Sequence, residues 1–491
     1  MVPDTVSHFI GGKHVHSTLR KTYGVTDPAT GKEYAQVEVG LGADVNQAVL
    51  AAQNALETGP WPAMPTAERA GVLSGIADAI GARAADIAAA EALGPGLPVT
   101  QAREQAAQAA DIFRLAAELT SEQAADGASA EPGRSGYVLE RPAGIAGLIT
   151  SWRTPFLSQA RAVAPALAAG CSIVLKPDEW APMPAVLLEE IVTAAGLPDG
   201  VLNIVHGSLH RKALGAQARD AMISHPSVAR LSFAGEAADA EQVTLQAATH
   251  RKVLSAELVG PSPCLVFADA DLDQALDGAL FGAFALNGHR RTATSTILVE
   301  RPVYDAFVSR FAQRAGRILV GDPADPATEL GPLPHADHYD KLVAYVRLGR
   351  REGARLAAGG GRPAGLPEGN YLAATVLANV TPTMEIFTEQ VCGPVVRVTP
   401  FDTDEEAVSL SNTVPALTAA YIWTSDLQRA HRLAPAIESA TTWVNSHNPQ
   451  DLQAVSAGRT GAEAGQAGID FFTHSRLLIA ADDTPVPRLG A

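Results

Sequence analysis

Two arginines stand where their surroundings invite chemistry. Arg153 sits in Trp152-Arg153-Thr154-Pro155-Phe156, and Arg291 closes the run Asn287-Gly288-His289-Arg290-Arg291. A guanidinium stays protonated throughout the physiological pH range. Such side chains can hold or polarise an anion but cannot open a covalent reaction as nucleophiles. His289 is of the type that titrates near neutrality and can do acid–base work; the plainer reading is a solvated loop residue. Glu257, in Glu257-Leu258, offers a carboxylate for moving protons. The thiols are Cys171, Cys264 and Cys392, none of them in a CxxC pair, so neither a zinc knuckle nor a disulfide framework is supported and no metal site is expected. Cys171 and Cys264 precede apolar, strand-like text and read as inert core residues.

Positioning these groups falls to an alternation of strands and helices. Residues 144–150 read as a buried strand, 156–169 as a helix, and 172–175 as a strand ending at Lys176-Pro177. Residues 183–195 read as a helix, 201–205 as a strand, 212–218 as a helix and 229–233 as a strand. This rhythm predicts a doubly wound parallel sheet, with ligands beyond the carboxyl ends of the strands; Trp152, Lys176 and Gly235 fall there. Upstream, residues 8–40 read as short strands and turns, including a hairpin at 8–13. Residues 43–120 read as helical, with Asp44 capping 45–57 and Thr66 and Glu68 opening a helix to 84. A second α/β block runs over 264–444, the stretch 126–133 reads as a loop, and the tail 469–480 reads as a strand.

The chain has 491 residues, enough for roughly three units at about 150 residues each. Hydrophobic residues at 47% and charged residues at 18% allow a large buried core and exclude global disorder. With 37 Lys and Arg against 53 Asp and Glu, the net charge is −16, which argues against nucleic acid and anionic membranes as partners. No basic segment followed by an apolar run opens the sequence, and no stretch of about 18 apolar residues suggests a membrane span. The sparse, unpaired thiols fit a reducing cytosol, so the expected location is cytoplasmic.

The strand ends carry recognisable text: Pro165-Ala166-Leu167-Ala168-Ala169-Gly170, Val174-Leu175-Lys176-Pro177-Asp178-Glu179, Gly196-Leu197-Pro198-Asp199-Gly200, Glu257-Leu258, Phe267-Ala268-Asp269-Ala270-Asp271-Leu272-Asp273 and Gly393-Pro394-Val395. Together these resemble the NAD(P)-dependent aldehyde dehydrogenase superfamily over about residues 9–488. Trp180, Gly235-Glu236, Leu286-Asn287-Gly288, Trp443-Val444-Asn445-Ser446-His447-Asn448 and Pro485-Val486-Pro487-Arg488 resemble its 5-carboxymethyl-2-hydroxymuconate semialdehyde dehydrogenase branch. The resemblance implies an α/β aldehyde dehydrogenase fold. A Rossmann-like cofactor domain is expected over 1–121 and 143–256, and an α/β catalytic domain over 257–445. A β oligomerisation arm is expected from 122–142 and 465–491, in a homo-oligomer that is a dimer or tetramer.

In that family a Cys thiolate attacks the aldehyde, an Asn amide stabilises the oxyanion, hydride passes to nicotinamide and a Glu activates water. The resemblance puts Arg291 at the Cys position of Asn-Gly-Glu/Gln-x-Cys and Arg153 at the oxyanion Asn, with Glu257 as the general base. Two cations near one point imply a bound carboxylate or phosphate, or a local acid, because two unpaired cations are costly to desolvate. The alternative is that both pair with Glu257 and plug the tunnel. At the implied cofactor site, Lys176 and Glu179 match the adenosine-ribose residues and Gly235 the first glycine of the phosphate loop. Ala240 replaces that loop's second glycine, and Asp239 and Glu241 add negative charge. Val259 replaces a glycine, Gln390 the carboxylate that grips the nicotinamide ribose, and Cys392 the neighbouring Phe. A Pro-Phe-Gly-Gly stretch is replaced by residues 452–458. NAD(P) binding is therefore expected to be weakened or lost. Cys392 lies on the cofactor side, and His447 is a candidate for the pocket wall. Three functions follow: a repurposed non-redox enzyme acting on a small anionic substrate, a pseudoenzyme that binds an active paralogue, or a residual NAD(P)-dependent semialdehyde dehydrogenase.

Overall fold

The computed structural model describes residues 3–122, 134–207, 217–258, 260–389, 392–413, 417–447 and 465–481. Strand Ile145–Ile149 is buried at every position, as a strand covered on both faces must be. It pairs in parallel with Ser172–Lys176 on one side and Val228–Gly235 on the other. Val253–Leu258 continues the sheet beyond Val228–Gly235, and Leu202–Ile204 continues it beyond Ser172–Lys176. The hairpin His8–Ile10 and Lys13–Val15 closes the far edge of this seven-stranded sheet. Helix Pro155–Ala168 starts with proline, whose fixed φ suits a first turn. It packs with the helices Thr66–Ala82 and Val99–Glu122 in one core built around Phe113, Phe156 and Leu175.

A second seven-stranded sheet has the order Arg355–Ala358, Thr375–Ala378, Val395–Phe401, Thr296–Glu300, Pro263–Val266, Leu417–Trp423, Ser439–Val444. Only its edge pair, Arg355–Ala358 with Thr375–Ala378, is antiparallel. A three-stranded sheet joins Thr5–Val6, Glu33–Glu38 and Thr22–Thr26. A two-stranded ribbon pairs Arg134–Pro142 with Thr473–Ala481.

Two local readings need correction. Asp44 lies in the first turn of helix Gly42–Glu57 instead of at its cap, and its carboxylate accepts the Leu41 amide at 2.8 Å. The tail is not strand from residue 469: Gly465–Phe471 is a helix, and pairing begins at Thr473. The first residues of the stretch read as a helix at 212–218, and the loop at 126–133, lie outside the described residues. Cys171 and Cys264 are buried, and burial pushes their thiols up to about 11 and about 12. No helix among the described residues is long and apolar enough to cross a membrane.

Candidate functional site

Three neighbouring strand ends of the first sheet bring the acidic and basic groups together. Ala234 and Gly235 lie in register with Glu257 and Leu258, so Glu257 stands beside Ala234 and Glu236 follows the end of the neighbouring strand two residues further on. Arg153 follows the central strand, just ahead of the helix Pro155–Ala168.

Opposite them stands a loop with an unusual backbone. Leu286, Asn287 and Gly288 are all left-handed, with φ of 53°, 58° and 68°. Left-handed backbone costs roughly 1–2 kcal/mol for a residue with a β-carbon, and Asn287 supplies the compensation. Its side-chain amide donates to the carbonyls of Gly96 at 2.8 Å and Pro332 at 3.1 Å, and its oxygen accepts the Gly331 amide at 2.8 Å. Gly288 has no alternative residue: an added β-carbon would lie 2.3 Å from the Gly393 carbonyl oxygen.

The two arginines do not converge on one point. Arg291 turns to Glu257, with Nε 3.1 Å from Oε1, and Arg161 approaches the same oxygen at 3.5 Å. Arg153 takes other partners. Its Nε donates to Cys392 Sγ at 2.9 Å, and its Nη2 donates to Glu236 Oε1 at 3.1 Å. Of the two arginines expected at Glu257, Arg291 thus pairs with it, whereas Arg153 contacts the Glu236 carboxylate and the Cys392 thiol. Arg153 Cζ also lies 5.0 Å from the Trp152 ring centroid. Burial pushes the Cys392 thiol up, even against the Arg153 guanidinium, so it is held as a thiol.

His289 is buried, not solvated. Its ring meets Trp152 edge to face at 4.8 Å, and neither nitrogen has a hydrogen-bond partner among the described residues. Burial first, then His338, Arg153 and His335, hold its pKa well below the ordinary value, so it is neutral at physiological pH. His338 is lowered to about 4, mainly by burial, and its Nε2 donates to the Cys392 carbonyl at 2.8 Å. His335 stacks on Trp180 with centroids 4.0 Å apart. Among the described residues no group of three or more His, Cys, Asp or Glu is arranged to hold a metal ion.

For a dinucleotide the residues present fit unevenly. Lys176 ends its strand buried, with Nζ donating to the Pro177 carbonyl at 3.2 Å, and Glu179 is buried nearby. At Gly235 an added β-carbon would sit 2.5 Å from the Phe233 ring. Helix Ala237–Thr249 begins there, and a helix N-terminus attracts phosphate. Here Asp239 stands in its first turn and Glu236 occupies the position just before it, without a side-chain hydrogen bond to the helix end. Beyond, the Arg153–Cys392 contact and the Trp180–His335 stack hold side chains against one another. Gln390 and Val259 lie outside the described residues.

A sequence profile of the aldehyde dehydrogenase family matches residues 14–478. The chain belongs to the aldehyde dehydrogenase family. It is 39% identical to 5-carboxymethyl-2-hydroxymuconate semialdehyde dehydrogenase of Escherichia coli, over 94% of this chain and 97% of the relative. It is 37% identical to 2-hydroxymuconic semialdehyde dehydrogenase of Pseudomonas sp. strain CF600, over 96% and 99%. Among solved structures, HpcC from Thermus thermophilus superposes with a TM-score of 0.93 at 39% identity, covering 99% of this chain and 95% of that one. Betaine aldehyde dehydrogenase from Staphylococcus aureus, solved in complex with NAD+, gives 0.93 at 29% identity, covering 98% and 95%. The expected α/β aldehyde dehydrogenase fold is therefore established for this family member.

Two contributors escape a reading of the sequence. Arg161 is the lone cation of an otherwise uncharged helix, Pro155–Ala168, and that isolation is the signal that could have marked it. Arg290 is buried although it adjoins a loop, and nothing in its spacing distinguishes it from Arg291.

Proposed function

We propose that this member of the aldehyde dehydrogenase family does not oxidise aldehydes through a thioester, and instead uses the family's tunnel as a non-redox site for a small anionic molecule. The observation that carries this reading is the Arg291–Glu257 pair. Where the resemblance expects a thiol and its general base, a guanidinium lies 3.1 Å from the carboxylate. A guanidinium does not form a thiohemiacetal, and the Glu257 oxygen that would meet a water is already engaged by Arg291 and Arg161. An incoming anion would compete with Glu257 for these cations. The semialdehydes in the names of the two bacterial relatives support a small substrate of related chemistry. We propose that NAD(P) binding is weakened: Lys176 and Glu179 suit the adenosine end, while Asp239 and the Arg153–Glu236 and Arg153–Cys392 contacts oppose the phosphate and nicotinamide ends. No step of the proposed function runs through the dinucleotide.

We assign the first seven-stranded sheet and its helices to a cofactor-type unit and the second to a catalytic-type unit. We assign the ribbon Arg134–Pro142 with Thr473–Ala481 to association in a dimer or tetramer. A second reading, a residual semialdehyde dehydrogenase, is favoured by one contact: Cys392 Sγ lies 3.9 Å from the Gly288 carbonyl, beside the loop that carries Arg291. Purified protein given 2-hydroxymuconic semialdehyde and NAD+ or NADP+ should show no reduction at 340 nm and no covalent adduct by intact-mass measurement. Turnover at ordinary rates, or an acyl adduct on Cys392, would overturn the reading.

A further inference from the structure

Next to Arg291, Arg290 is only 8% exposed. Its guanidinium has no ion pair and no hydrogen bond among the described residues, and Nε is buried without a partner. Its close neighbour is an aromatic face: Cζ lies 4.1 Å from the Phe281 centroid. A buried cation without a counter-ion is expensive, and native proteins keep one where something supplies the missing charge. Glu104 and Tyr421 contribute only longer-range attraction.

Other polar groups around the same rings are also idle. His447 stands edge to face with Phe281 at 5.6 Å and stacks on Tyr421 at 3.9 Å, and neither of its nitrogens has a partner among the described residues. The Thr294 hydroxyl is buried, likewise without a partner among them. A β-carbon on Gly282 would lie 2.2 Å from His447 Nε2 and 2.7 Å from Thr294 Oγ1, so the two polar atoms flank one spot that only glycine leaves clear. Burial and the Arg290 charge together lower the His447 pKa to about 3, so the imidazole is neutral and keeps one N–H to donate.

We propose that Arg290, His447 and Thr294 form a receptor for the carboxylate of a small organic acid, beside the partly exposed ring of Phe281. The guanidinium fork matches both carboxylate oxygens, while the imidazole N–H and the hydroxyl supply further donors. Phe281, 43% exposed, offers apolar surface for the carbon chain of the acid. This inference rests on the reading that the tunnel takes a small anion. It goes further by moving the anchor from Arg153 and Arg291, which already hold acidic or thiol partners, to Arg290, which holds none among the described residues.

Isothermal titration with glutarate, with glutaramide as the neutral control and inorganic phosphate as the competing anion, tests it. Wild-type protein should bind glutarate and not glutaramide. Arg290→Gln should weaken glutarate binding by about 30-fold or more, the scale of losing charge-assisted hydrogen bonds, while Arg291→Gln should weaken it far less. Arg290→Met should raise the melting midpoint without ligand, because it removes an uncompensated buried cation; a guanidinium kept for structure would give a fall. Should either variant fail to fold, phenylglyoxal labelling of the wild type, read by peptide mass, should show Arg290 protected by glutarate. Unchanged affinity in Arg290→Gln with a large loss in Arg291→Gln would overturn this inference and leave the proposed anion site standing. Phosphate binding as tightly as glutarate would overturn the carboxylate assignment. No binding of either anion by the wild type would overturn both readings.

Discussion

Replacing Glu257 by Gln removes the negative charge between Arg291 and Arg161, and the structure sets the size of the effect. The side chains of Glu257 and Arg291 are 15% and 25% exposed, and Arg161 is 21% exposed. An exposed pair is worth about 0–1 kcal/mol, whereas breaking a fully buried one by removing a single partner costs about 3–5 kcal/mol. Mostly buried groups with partial access to water fall between, so Glu257→Gln should destabilise by about 2 kcal/mol. Much of that is the cost of weakening the counter-charge around Arg291, and so Arg291→Met in the same chain should return part of the loss. Urea unfolding of the wild type, both single variants and the double variant forms a complete cycle. We expect a coupling energy of about 1–2 kcal/mol that shrinks at high salt. A coupling below about 0.5 kcal/mol, within the ordinary scatter of additivity, would mean that the two groups do not hold each other in solution, and the description of a closed Arg291–Glu257 site would be wrong.

Glu91 is fully buried; one oxygen accepts the Phe156 amide at 2.9 Å, and burial raises its pKa to about 8 from an ordinary 4.5. The folded state therefore favours the protonated form. Its contribution is complete below about pH 4.5 and is lost as pH rises toward 8, with a slope of up to about 1.4 kcal/mol per unit. Glu91→Gln should flatten that decline in denaturation curves from about pH 5 to 8; an unaltered slope would show that Glu91 titrates normally in the fold. Gly288→Ala should cost at least about 2 kcal/mol, because φ is +68° and the obstructing Gly393 atoms are backbone that cannot rotate away. An unchanged melting midpoint would contradict the loop geometry.

The strands and helices of the first sheet were legible because their text repeats the physics directly. Five consecutive buried apolar residues at Ile145–Ile149 can be little else than a central parallel strand. Asp44 was legible as a helix-start residue but not as to position, since a carboxylate one turn in can satisfy the same end of the helix as one at the cap. The partner of each guanidinium was not legible. Arg153 reaches a carboxylate and a thiol that are 83 and 239 residues away in sequence, and only the register of neighbouring strands puts Glu236 within its reach. His289 looked like a loop residue by its neighbours and is buried by Trp152 and His338, which come from distant segments.

Asn287 fixes its loop through contacts to Gly96, Gly331 and Pro332 alone. None of these groups belongs to the side chain four residues further on. The frame that presents position 291 is thus indifferent to what is presented. The side chain at position 291 can therefore change without altering these Asn287 contacts, which makes this corner of the fold a socket whose mounting is separate from its contents.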